Sequence, residues 1–166
     1  MSCRRSKLAL VWPIAFAAIA ASCAKAPPPA PPPMTIAAAP GAKKAPMTFT
    51  VSPDVNPDSS GRPSPIVVRI YQLKADAAFK VTDFFTLYDD EQKALGAELI
   101  SRDEYVLNPS ERKTIDVTVS RDTRFIGALA AFRDRNAESR VLVPAPRGGF
   151  NVTIERARIV VSAVED

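Results

Sequence analysis

Thr114-Ile115-Asp116-Val117-Thr118-Val119 decides the fold class. Ile115, Val117 and Val119 alternate with Thr114, Asp116 and Thr118, and a period of two places the apolar side chains on one face of a half-buried strand. Shortly after it, Phe125 to Phe132 is nearly all apolar, which predicts a central strand buried on both faces. Working upstream, Ile66-Val67-Val68-Arg69-Ile70-Tyr71-Gln72-Leu73 is a β-rich run, and Met47 to Val51 alternates again. Downstream, Val141-Leu142-Val143, Val152 with Ile154, and Ile159 with Val161 supply three more strands. Asn108-Pro109-Ser110 and Arg147-Gly148-Gly149 read as turns between them.

One segment, at about 75–97, leaves the two-residue period. Thr82 or Asp83 is placed to cap a helix, after which Phe84, Leu87 and Tyr88 share one face. Asp90 is placed to cap a second short helix that Gly96 stops. A mainly β chain of about seven strands at this spacing, with a helical insertion, predicts a two-sheet β-sandwich.

The remainder of the 166 residues has a different character. Arg4, Arg5 and Lys7 precede an apolar run from Leu8 to Ala21, too short to span a bilayer, and the pattern is that of a secretory signal peptide over residues 1–22. Its removal takes the net charge from +4 to +1, so a nucleic-acid partner loses its electrostatic support. Eight of the 16 prolines fall between Pro27 and Pro46. They prevent helix or sheet from propagating, and a polyproline spacer over 24–44 reaches at most about 60 Å. The expected organisation is signal peptide 1–22, proline-rich tether 23–44 and sandwich domain 45–166.

The signal ends in Ala20-Ala21-Ser22-Cys23, which resembles a bacterial lipobox, with Ala20 where a large aliphatic residue is usual. Cys23 is the lone cysteine of the mature chain, so the expectation is an anchor: a covalent N-terminal lipid, and no other cofactor. Ala24 after it, in place of Asp, follows the sorting rule for the outer membrane. With no histidine and no spare cysteine, imidazole catalysis, thiol nucleophiles and His-containing zinc sites drop out. The acidic pairs Asp89-Asp90-Glu91 and Asp103-Glu104 read as a helix cap with its first turn and as the border of a strand. Ser59, Ser60 and Ser64 have no base beside them. The expectation is no enzyme, no metal and no small-molecule substrate.

Between the first two strands lies a long connection dense in proline and Asp/Asn turns, Ser52 to Pro65. Irregular connections of this length are uncommon unless functional or disordered, which marks it for recognition.

Three stretches carry a wider likeness: NPDSSGRPSPIVVRIYQL from Asn56, AFKVTDFFTLYDDEQKALGAELISRDEYVLNP from Ala78, and TRFIGALAAFRD from Thr123. In order and spacing they resemble the TssJ (SciN/VasD) family, outer-membrane lipoproteins of the bacterial type VI secretion system. Past Asp134 the likeness fades: where the family often has a tryptophan before an arginine, this chain has Ser139-Arg140. The resemblance implies a transthyretin-like sandwich with a helical addition, lipid-anchored at the periplasmic face of the outer membrane. It implies an adaptor that binds the periplasmic C-terminal region of the inner-membrane protein TssM and tethers the apparatus to the outer membrane. Carried onto this sequence, the partner-binding loop is Val55, Asn56, Pro57, Asp58, Ser59, Ser60, Gly61, Arg62, Pro63, Ser64 and Pro65. Asn56, Asp58 and Arg62 are its polar contacts, and Pro57 and Pro63 set its shape. The alternative is a generic periplasmic structural or ligand-carrying lipoprotein of β-sandwich fold.

Overall fold

The computed structural model describes residues 42–164; the signal peptide, Cys23 and nearly all of the tether lie outside them. Eight strands form two four-stranded sheets: β1 (Lys43–Val51), β2 (Ile66–Leu73), β3 (Leu99–Leu107), β4 (Arg112–Val119), β5 (Phe125–Ala130), β6 (Arg140–Pro144), β7 (Phe150–Ile154) and β8 (Ile159–Ala163). One sheet runs β4-β1-β7-β8, with β1 and β7 parallel; the other runs β3-β2-β5-β6, antiparallel throughout. The alternation at Ile115 to Val119 belongs to β4, an edge strand paired to β1 with Met47 opposite Ile115. Lys43 and Lys44 pair with Val119 and Thr118, so the folded domain begins ahead of Ala45, inside the segment read as tether.

The inward faces of both sheets close one core. Met47, Phe49, Val51, Phe150, Val152 and Ile154 from the first sheet meet Ile66, Val68, Ile70, Ile126 and Ala128 from the second. Strand β5 is buried on both faces because its alternate residues enter two cores. Ile126, Ala128 and Ala130 face the other sheet, while Leu129 faces a separate cluster with Tyr71, Leu73, Phe79, Leu87 and Leu95. That second cluster lies beneath the helical insertion, which makes three layers of the predicted two.

The insertion resolves into three short helices, α1 (Ala77–Val81), α2 (Phe84–Asp89) and α3 (Glu91–Leu95), with a 3₁₀ turn at Gly96–Glu98. Asp83 caps α2 by accepting from the Thr86 amide at 3.0 Å, and Asp90 caps α3 by accepting from Lys93 at 3.2 Å. Gly96 ends α3 at φ +50°, a left-handed conformation that costs glycine little. Phe79 plugs the layer onto the sheet directly over Gly127, where a Cβ would sit 2.8 Å from the phenylalanine ring. A side chain at 127 would therefore lift the helical layer off β5.

The strand not foreseen is β3, where Asp103 and Glu104 lie in mid-strand and do not border it. Ser101 and Asp103 share its inward face with Tyr105 and Leu107 and break the apolar alternation, while its outward face carries Arg102 and Glu104. Those charges are matched: Arg69 of β2 donates to Glu104 at 2.7 Å and to Glu91 at 3.1 Å, and Arg102 donates to Glu91 at 2.8 Å. The Arg69 guanidinium also lies 4.0 Å from the centre of the Tyr88 ring. Together these groups bind α2 and α3 to the sheet. Glu91 and Glu104 thus act as partners of arginines, and Asp103, on the opposite face and still exposed, is shifted upward in pKa by partial desolvation.

Candidate functional site

The strand pairings place four connections at one end of the sandwich: 52–65, 108–111, 131–139 and 155–158. Strand β1 starts at the opposite end, and its nine residues at about 3.3 Å each separate the two ends by nearly 30 Å. The fourteen-residue connection from β1 to β2 is the longest of the four.

Its base is built inward. The Ser52 amide donates to Ile154 at 2.8 Å, and Val55 turns back to Ser52 at 3.3 Å and drops its side chain into the core with no exposure. Asn56 is 4% exposed and takes a left-handed φ of +46°, which asparagine tolerates better than other residues with a Cβ. Both its side-chain atoms are used: Nδ2 donates to the Pro65 carbonyl at 2.9 Å, and Oδ1 accepts from the Arg133 amide at 2.8 Å. Its own amide donates to the Arg156 carbonyl at 3.0 Å. Asn56 therefore ties the loop to the 131–139 and 155–158 connections, and it offers nothing outward. Ser64 is also buried, closing the base through a 3.1 Å bond to the Val55 carbonyl.

The tip is built around Asp58. Its Oδ1 accepts from the amides of Ser60 at 2.8 Å and Arg62 at 3.0 Å, while Oδ2 takes the Arg62 guanidinium at 2.8 Å. The Asp58 amide returns to the Arg62 carbonyl at 2.9 Å, and Gly61 turns at φ +77° between them. These bonds, led by the one from the Arg62 amide, hold the Asp58 carboxyl below its ordinary value of 3.8. The turn stays closed above that value and loosens as pH falls through the lowered one. Outside this turn stand Ser59, Ser60, Gly61, Arg62 and Pro63, all exposed, with Pro65 below them and with Pro57 half-buried at its root. Arg62 keeps 79% of its side chain in solvent despite its ion pair.

Of the eleven loop residues read from the sequence, five make the exposed tip, and Val55, Asn56 and Ser64 form its foundation. Arg133, whose charge also acts on Asp58, was not singled out. The signal was there in Arg133-Asp134-Arg135, which breaks abruptly from the apolar run before it. A preorganised, exposed tip carrying one guanidinium suits recognition of another protein by shape and charge. Among the described residues, no three Asp, Glu, Cys or His side chains gather as a metal site would require. None of the described helices is long and apolar enough to cross a membrane.

Comparison with known proteins gives this geometry a context. A family profile described as type VI secretion lipoprotein, VasD, EvfM, TssJ matches residues 43–161. The type VI lipoprotein TssJ1 of Pseudomonas aeruginosa is 32% identical, with a TM-score of 0.71; the match covers 75% of this chain and 98% of that one. Lip of Serratia marcescens, a membrane-bound component of the type VI secretion system, matches at 23% identity and a TM-score of 0.67, over 72% of this chain and 96% of its own. A chain in a structure described as the TssM C-terminal domain from EAEC matches at 20% identity and 0.61, over 73% and 98%. Curated protein sequences give no match. The profile spans the whole sandwich from the first residue of β1 to β8, and the chain belongs to the type VI secretion lipoprotein family that includes TssJ and VasD.

Proposed function

We propose that this chain is the outer-membrane adaptor of a type VI secretion membrane complex. Its lipid, carried on Cys23, holds the N-terminus in the inner leaflet of the outer membrane, and the proline-rich segment that follows is a spacer. The sandwich presents Pro57 to Pro65 to the periplasmic C-terminal region of TssM. The observation that carries this reading is the position of the tip: the strand that follows the spacer begins at the far end of the domain. A domain held by its N-terminus thus offers the loop away from the bilayer. Family membership supports the role, and a structural neighbour described by the TssM C-terminal domain supports the choice of partner. The adaptor works by holding two membranes together, which calls for no catalysis and no cofactor beyond the lipid.

Calorimetric titration of residues 42–166 against the TssM C-terminal region of the same organism tests the site. Saturable binding that is lost when Ser59–Arg62 are removed, with Asn56 left in place, is the expected result. Undiminished binding by that variant moves the site off the loop, and no binding by a folded domain sinks the TssM reading. Cys23→Ser tests the anchor separately: membrane attachment is expected to vanish while the domain stays folded, and a variant that still sediments with outer membranes refutes it.

A further inference from the structure

Next to the loop, α2 and the β5–β6 connection enclose a cleft of about 330 Å³, lined by Phe84, Phe85, Phe132, Arg133, Asp134, Arg135 and Ser139, so that two guanidinium groups outnumber one carboxylate. Phe84 is partly secured by stacking on Tyr88 at 5.7 Å, but Phe85 leaves 63% of its surface in water. Contiguous apolar surface lining a groove marks interaction surfaces, and here Phe85 meets Phe84 edge-on at 5.4 Å beside Phe132. Arg133 and Arg135 are exposed, and among the described residues neither guanidinium has a hydrogen bond or ion pair. By comparison, Arg62, Arg69, Arg102, Arg156 and Arg158 each pair with a carboxylate. The cleft wall is tied to the loop, since the Arg133 amide donates to Asn56.

We propose that this cleft is a second docking surface for the partner that the loop engages, and that it takes an extended segment carrying a large apolar side chain flanked by carboxylates. The apolar group fills the space between Phe84, Phe85 and Phe132, and the carboxylates meet Arg133 and Arg135. The inference rests on the reading that the loop binds a partner. Charge argues against the chain's own spacer as occupant: residues 24–42 contain one lysine and no carboxylate. Arg133 already acts on Asp58 through its charge alone; an acidic segment would give it and Arg135 direct carboxylate contacts, and charge-assisted pairs beside a desolvated aromatic contact are the usual makings of an interface hot spot.

Two single-cysteine reporters in the full-length, lipid-modified chain separate the outcomes, because Cys23 is the mature chain's lone native cysteine. Ser139→Cys places a thiol in the cleft and Ser60→Cys places one at the loop tip. Each is treated with maleimide in intact cells, with and without TssM. Protection of both thiols only when TssM is present is the expected result. Protection of Ser60→Cys alone overturns the cleft proposal and leaves the loop reading standing. Protection of Ser139→Cys without TssM gives the cleft a different occupant, a second copy or the spacer, and overturns the proposal too. If neither is protected, both readings fall. As a second measurement, Phe85→Asp, at an exposed position the fold does not need, is expected to weaken binding of the TssM C-terminal region about tenfold. Unchanged affinity excludes the cleft from the interface.

Discussion

Strand β2 is entered from the 52–65 loop and left through the 74–98 helical segment, and the two are held to the same sandwich by different forces. The helical segment buries Phe79, Leu87 and Leu95 on the outer face of the sheet, so its attachment is chiefly apolar, with the Arg69–Glu91–Arg102–Glu104 group as a polar margin. The loop buries one apolar side chain, Val55, and is otherwise fastened by hydrogen bonds that converge on Asn56 and Asp58. Apolar burial spreads an attachment over many atoms. A polar attachment concentrates it on a few, and leaves a tip with almost nothing of its own to bury. The loop is therefore stiff without being covered, as a binding element should be.

The largest effect expected from this contrast is at Phe79. Phe79→Ala empties the space above Gly127 and should cost about 3–4 kcal/mol by denaturant titration. If the loss stays below about 1 kcal/mol, the helical layer is not held by its apolar face. Asn56→Ala comes next. It strands the Pro65 carbonyl and the Arg133 amide and places alanine at a positive φ, for a loss of about 2–3 kcal/mol. It should also weaken partner binding, whereas Phe79→Ala should leave the affinity of the remaining folded protein largely intact.

Asp103→Asn gives a smaller effect of opposite sign. Partial desolvation raises the Asp103 pKa although the residue keeps an exposed surface, so the fold has a small preference for the protonated form: that contribution is complete below 3.8 and is lost as pH rises through the raised value. The amide should therefore raise the melting temperature at neutral pH, with a gain that disappears in acid. An equal gain at both pH values would assign it to another cause. Tyr105, two residues on, is pushed up to about 12 by burial and then by the Asp103 charge, so it stays neutral through this range. Arg62→Ala is the smallest in stability, within about 0.5 kcal/mol, since the group is solvent-exposed. If affinity for the partner is equally unmoved, the guanidinium is a brace for the tip and not a contact.

Much of this architecture was legible in residue order. Seven strands, the caps at Asp83 and Asp90, the stop at Gly96 and the two-sided burial of β5 follow from local periodicity and backbone preference. Strand β3 was not legible, because Ser101 and Asp103 interrupt its inward face and leave no apolar period; it is fixed as a strand by pairing with β2, with Arg69 and Glu91 matching its outward charges. Of the three helices, α2 and α3 were marked by their caps, while α1 was missed: its five residues have no side-chain cap and fall below the length at which a helical period declares itself. The start of β1 was hidden by Lys43 and Lys44, which look like tether and are fixed as strand only by pairing with Val119 and Thr118.

For the loop, the sequence by itself determined where the chain must turn and where it is stiff, because proline, glycine and aspartate act through their own backbone and nearest neighbours. Which residues face the solvent was decided only by the tertiary structure. Asn56 and Arg62 are both polar residues of a single loop, and nothing local separates them. The carbonyl of Pro65 and the amide of Arg133, brought together by packed sheets, draw Asn56 inward. Arg62 is left outside with Asp58. Burial of a polar side chain is set by partners remote in sequence, and those partners exist only once the chain has folded.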